Sequence, residues 1–100
     1  MSYTNIDKFE LKELLNSNEE FLLLDIRTKE EFHENKIEGA INIPLQELLF
    51  NADELEEYRG SKIVIYCRSG HRSITACNIL SMEGFDELYN LEKGIIDYVI

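Results

Sequence analysis

Residues 67 to 73 read Cys67-Arg68-Ser69-Gly70-His71-Arg72-Ser73, a thiol followed by two arginines, two hydroxyls and a glycine, with no acid among them. A free cysteine titrates near about 8.5, but neighbouring arginines and a helix N-terminus can bring it to roughly 3.5–7.5, where the thiolate dominates at neutral pH. Gly70 can adopt the positive φ of a tight cradle and places no side chain between an anion and the loop amides. Arg68 and Arg72 can hold the oxygens of such an anion in bidentate fashion. The chemistry implied is attack by Cys67 on a sulfur, phosphorus or arsenic oxyanion, with residues 68 to 73 as the binding loop.

Within that loop the residue types suggest a division of labour. Ser73 is a natural N-cap for a following helix, with a hydrogen bond to the sulfur as its alternative role. His71 reads as a solvent-facing loop tip that tunes access rather than a general acid or base. Arg72, at the helix start, is open to capture by an acid. Cys77 falls on an apolar helical stripe and reads as packing rather than as a second reactive thiol. Cys67, His71, Cys77 and His33 have no accepted metal-ligand spacing, so neither a metal site nor a cofactor is predicted.

A loop of this kind needs a strand before it and a helix after it, so that the helix N-terminus and its free N–H groups face the sulfur. Both are legible. Ile63-Val64-Ile65-Tyr66 is β-branched and aromatic throughout. Ile74, Cys77, Ile79 and Leu80 share a helical stripe, and Gly84 stands where a C-cap is expected. Upstream, Asp7 can cap an amphipathic helix over residues 7 to 16, which Asn16-Ser17-Asn18 ends. The apolar run Phe21 to Leu24 reads as a strand covered on both faces of a parallel sheet. Thr28 and Glu31 form a capping-box pattern for a helix reaching about Asn35.

Ala40 to Ile43 precedes Pro44, which cannot donate to a ladder and ends that strand. Residues 45 to 57 read as one or two helical turns, Glu87 to Leu91 as a last strand, and the stretch from Gly94 to Tyr98 as a brief helical turn. Four strands alternating with helices, without repeat or linker, predict one α/β domain over residues 1 to 100, with a mostly parallel sheet and helices on both faces. Ligands of such sheets bind at the carboxyl ends of the strands, where Cys67 stands. Asp25 and Arg27 end a strand on the same edge. Either could line the pocket, although a pair of Arg27 with Glu30 or Glu31, fastening strand to helix, is the simpler expectation.

Composition narrows the function classes. With 44% hydrophobic and 30% charged residues the chain is that of an ordinary soluble globule, not of a disordered or low-complexity segment. A formal net charge of -10 argues against nucleic acid and anionic lipid as partners. The longest uncharged apolar run falls far short of the roughly 20 residues that span a bilayer. Met1 to Asp7 lack the basic and apolar regions of a secretory signal, so a cytoplasmic location is expected. Two cysteines are too few for a disulfide framework, and both are expected to be reduced thiols.

Taken together, Leu24-Asp25-Ile26-Arg27, Glu31-Phe32, the run Ile37 to Pro44, Tyr66 to Ser73, Gly84-Phe85 and Tyr89-Asn90-Leu91 resemble a single-domain rhodanese, in that family's order. Asn35-Lys36-Ile37 replaces the family's usual Gly-His-Ile, and Glu92-Lys93-Gly94 with Tyr98 replaces its usual paired glycines and tryptophan. The resemblance implies a five-stranded parallel sheet and transfer of sulfane sulfur through a persulfide on Cys67. It implies a small sulfur-oxyanion donor such as thiosulfate and a thiophilic acceptor: cyanide, a thiol or a protein thiol. A persulfide carrier serving another protein fits the residues equally well. The competing readings are a cysteine phosphatase or arsenate reductase, and a non-catalytic rhodanese-like interaction module. Four residues rather than five separate Cys67 from Arg72, which disfavours the phosphatase, and the intact Cys67, Arg68 and Arg72 disfavour the module.

Overall fold

The computed structural model describes residues 3–99, and its centre is the strand the sequence marks most strongly, β4 (Lys62–Tyr66). Ile63, Val64, Ile65 and Tyr66 are all at 0% exposure, so both faces of this strand are covered. Because strand side chains alternate in direction, Ile63, Ile65 and Cys67 enter one packing layer, and Val64 and Tyr66 the other.

Around β4 lie β1 (Thr4–Ile6), β2 (Phe21–Asp25), β3 (Ile41–Asn42) and β5 (Leu88–Leu91), in the spatial order β1-β5-β4-β2-β3. Every pairing is parallel. The four strands read from the residues all form, and β1 supplies a fifth at the edge. Thr4-Asn5-Ile6 is too short and polar to show a strand pattern. Ile6 packs from β1 into the same layer as Leu11.

Helices α3 (Leu45–Asn51) and α4 (Arg72–Met82), with a 3-10 helix over Ala52–Tyr58, send Leu48, Leu55, Ala76, Cys77 and Leu80 against one face. The other face is covered by Leu11 of α1 (Lys8–Leu15) and Ile95 of α5 (Gly94–Tyr98). The short α2 (Lys29–Glu34) buries no residue completely. Its start is fixed by the capping box the sequence predicts, with Glu31 N–H donating to Thr28 Oγ1 at 3.1 Å and Thr28 N–H to Glu31 Oε1 at 3.0 Å. Asp7 and Glu10 form the same device on α1. Among the described residues no helix is long and apolar enough to cross a membrane. All-parallel pairing brings the carboxyl ends of β2, β4 and β5 to one edge of the sheet, and the loops that follow them meet there.

Candidate active site

Cys67 leaves β4 with only 1% of its surface exposed, so its sulfur is cut off from bulk water. Its Sγ accepts the Gly70 N–H at 3.1 Å and lies 3.5 Å from Ser73 Oγ. Burial alone pushes a thiol up, and it is the largest single influence on this one. The opposing influences, contact with the Ser73 hydroxyl and hydrogen bonds from the amides of Ser73, Gly70 and Ser69, together hold Cys67 below its ordinary value. The N-cap residue of α4, His71, makes no side-chain cap hydrogen bond.

This arrangement corrects the expected role of Ser73. It lies inside the first turn of α4, with His71 at the capping position, and its hydroxyl turns inward. Ser73 Oγ donates a short hydrogen bond to Asn90 Oδ1, and Asn90 Nδ2 donates to Asn5 Oδ1 at 3.0 Å and to the Gly70 carbonyl at 3.4 Å. Ser73 and Asn90 are 0% and 1% exposed, so the link from β5 to the sulfur is buried.

The cradle is locked from the opposite side by the turn after β5. Ile95 N–H donates to the Cys67 carbonyl at 3.0 Å and Ile96 N–H to the Arg68 carbonyl at 3.1 Å. Gly70 has φ 95°, and a Cβ there would run into the Glu92 carbonyl. Gly70→Ala is therefore expected to destabilise the fold by about 3 kcal/mol, combining a strained φ with overpacking. Gly39 has nearly the same φ, 93°, but open space around the missing Cβ. Gly39→Ala should thus cost about 1 kcal/mol, the strain alone. Urea unfolding of both variants checks the difference, and equal losses would show that the contact with Glu92 is immaterial.

The charged residues are arranged less simply than the sequence suggests. Arg68 is exposed on the wall of a cleft of about 480 Å³, facing Arg27, Glu31 and Glu34, with Ile95, Ile96 and Val99 as an apolar side. Arg72 grips Glu31 with its two terminal guanidinium nitrogens, Nη1 and Nη2, at 3.1 and 3.0 Å. That grip, chiefly, holds the Glu31 carboxyl down at about 2. His71 is exposed, with Nδ1 3.1 Å from Ser69 Oγ. Of the loop residues, then, Ser69, Gly70 and Ser73 act on Cys67, Arg68 stands in the cleft, Arg72 is held by Glu31, and His71 is exposed.

Arg27 is also paired differently from expectation. Its partner is Asp25, at 2.7 Å, and not Glu30 or Glu31, and the pair is 3% and 0% exposed. Residues two apart on an extended chain share a side, while Glu31 is already committed to Thr28 and Arg72. The remaining guanidinium protons of Arg27 reach Asn35, at 3.2 Å to Oδ1 and 2.6 Å to the carbonyl. Cys77 packs in the core at 0% exposure, and burial pushes its thiol up to about 12. Sequence reasoning missed Asn90, Gly94 and the second partner of Glu31. Gly94 has φ 68° and sits so close to the Arg68 carbonyl that a Cβ would collide with it.

Known proteins share this architecture. The chain is 38% identical over 91 residues to a sulfurtransferase of Allochromatium vinosum, covering 91% of this chain and 83% of that protein. It is 34% identical over 86 residues to a tRNA uridine(34) hydroxylase of Buchnera aphidicola, covering 82% of this chain and 28% of that longer protein. A rhodanese-related protein of Thermoplasma volcanium has a similar structure, with a TM-score of 0.85 at 31% identity, covering 97% of this chain and 91% of that one. The five-stranded parallel sheet thus has its counterpart in a solved structure of the same kind, and the match to the rhodanese-like domain over residues 8–99 establishes that the chain belongs to that family.

Proposed function

We propose that this protein is a sulfurtransferase that moves sulfane sulfur through a persulfide on Cys67, from thiosulfate or another persulfide donor to a thiophilic acceptor. Cyanide, a small thiol and a protein thiol are all acceptors of the right chemistry. The observation that carries the proposal is a buried sulfur that takes the Gly70 N–H at 3.1 Å and is held below the ordinary thiol range by loop amides.

The step balances without an outside oxidant. The Cys67 thiolate attacks the outer sulfur of the donor, the donor's S–S bond breaks, and its electron pair leaves with sulfite or with a thiolate. The persulfide anion inherits the field of fixed N–H dipoles that stabilised the thiolate. Attack by the acceptor on the outer sulfur then returns Cys67 to its thiolate, a two-step covalent cycle with ping-pong kinetics. The Allochromatium vinosum relative, matched over most of its length, supports this reading. The tRNA hydroxylase extends far beyond the shared portion, so that likeness supports the domain and not that reaction.

Intact mass before and after treatment with thiosulfate or an organic hydropersulfide tests the proposal. One sulfur atom's mass should appear, map to the peptide holding Cys67, and leave as thiocyanate when cyanide is added. A folded protein with a reactive Cys67 whose mass changes with neither donor would sink it.

A further inference from the structure

The four arginine and carboxylate partners around the sulfur edge leave very little free positive charge. Arg27 is matched by Asp25 and Arg72 by Glu31, so among the described residues only Arg68 enters the cleft without an ion-pair partner. Glu34 adds an acid to the same wall. The Glu31–Arg72 contact is no casual surface pair. One carboxylate oxygen accepts from Arg72 Nη1, the Thr28 N–H and Thr28 Oγ1 at 3.1, 3.0 and 3.2 Å, and the other from Arg72 Nη2 at 3.0 Å. The helix cap therefore holds the carboxylate in place, and a bidentate fork holds the arginine to it. Glu31 lines the cleft beside Arg68, so the balance of charge in the Glu31–Arg72 pair is felt by an anion entering there.

Resting on the sulfurtransferase reading, we infer that Glu31 is a specificity-determining residue: by occupying Arg72 it disfavours dianionic donors such as thiosulfate and favours monoanionic organic persulfides. Thiosulfate brings two negative charges into a cleft with one unmatched cation, on a chain whose own net charge is -10. An organic persulfide brings one charge or none on its sulfur, and its carbon body has Ile95, Ile96 and Val99 to pack against. Both donors undergo the same exchange at Cys67. Only the charge of the donor and of the departing group differs, sulfite in one case and a thiolate in the other.

Loading of Cys67 from thiosulfate and from 2-hydroxyethyl hydropersulfide, whose sole ionisable group is the terminal sulfur, separates the possibilities when followed by quenched intact mass. Wild type should load faster from the hydropersulfide. Glu31→Gln keeps an oxygen for Thr28 and Arg72 but removes the charge. It should accelerate thiosulfate loading about tenfold, the equivalent of about 1.4 kcal/mol, and hydropersulfide loading by a much smaller factor. Adding Arg72→Gln should abolish that gain, while Arg72→Gln alone leaves Glu31 as an unmatched carboxylate on the cleft wall and should slow thiosulfate loading about tenfold. The single Arg72 variant keeps the inference testable if the Glu31 variant folds poorly.

An unchanged donor ratio in Glu31→Gln, a gain that persists without Arg72, or thiosulfate loading unchanged in Arg72→Gln alone would each overturn the role assigned to Glu31. Wild type that loads from neither donor would instead overturn the sulfurtransferase reading itself, and this inference with it.

Discussion

Cys67→Ser is expected to fold as the wild type does and to lose sulfur transfer by at least about 10⁴-fold, the scale of removing a nucleophile whose partners act only through it. A serine at this position can still accept the Gly70 N–H and meet Ser73, so the cradle keeps its hydrogen bonds. Its hydroxyl, however, does not ionise in the range where the loop amides can help. The structural cost of exchanging sulfur for oxygen inside a hydrogen-bonded shell is about 1 kcal/mol. Cys77 provides an internal control. The variant retains this thiol, but burial holds it up at about 12, so it is protonated and enclosed. Sulfur appearing on Cys67→Ser at a rate near wild type would make Cys77 the carrier and reverse the roles given to the two cysteines. Alkylation supplies the matching pH test. Because Cys67 is depressed, wild type should keep its thiolate rate as pH falls through the ordinary thiol range and lose it only below, whereas Cys67→Ser should show no such reactive phase.

The elements that aim Cys67 are legible along the chain because each has a local cause. β4 announces itself by four consecutive β-branched or aromatic residues, and α2 by a threonine and a glutamate three residues apart. The partners that set the site's charge are not legible, because they meet through space. Glu31 and Arg72 are 41 residues apart, and Ser73 and Asn90 are 17 apart. No spacing rule connects them. Ser73 and Arg27 show the same effect from the other side, since each satisfies a valid local rule that loses to a better partner. A serine at a helix start is a sound N-cap, yet its hydroxyl finds the buried Asn90 amide. An arginine before a helix is a sound partner for that helix's first-turn acids, yet parallel pairing buries it beside Asp25. Asn35 stands where the resemblance would put a glycine, and Arg27 uses both its carbonyl and its side chain.

Arg27→Met is expected to destabilise the protein by about 3–5 kcal/mol, the range for removing one partner of a buried ion pair. Asp25, at 0% exposure, would lose the guanidinium that now supplies hydrogen bonds at 2.7 and 3.1 Å. Burial works against the charge of Arg27 as its largest single influence, but Asp25 and Tyr66 together raise it, so the guanidinium stays charged. The double variant Asp25→Leu/Arg27→Met should recover more than half of the loss, because apolar side chains of similar volume replace a buried pair at little cost. Recovery should stop about 1 kcal/mol short, since the Arg27 N–H also donates to Asp25 Oδ1, at 2.8 Å, and would lose that acceptor. Urea midpoints at an unchanged m-value measure all three proteins. A loss below about 1 kcal/mol in the single variant would mean that water reaches Asp25 and the pair contributes little. The double variant also separates fold from chemistry. If it is stable but loads Cys67 as fast as wild type, the pair serves only to join β2 to the end of α2. If it is stable and loads slowly, the guanidinium on the cleft wall takes part in receiving the donor.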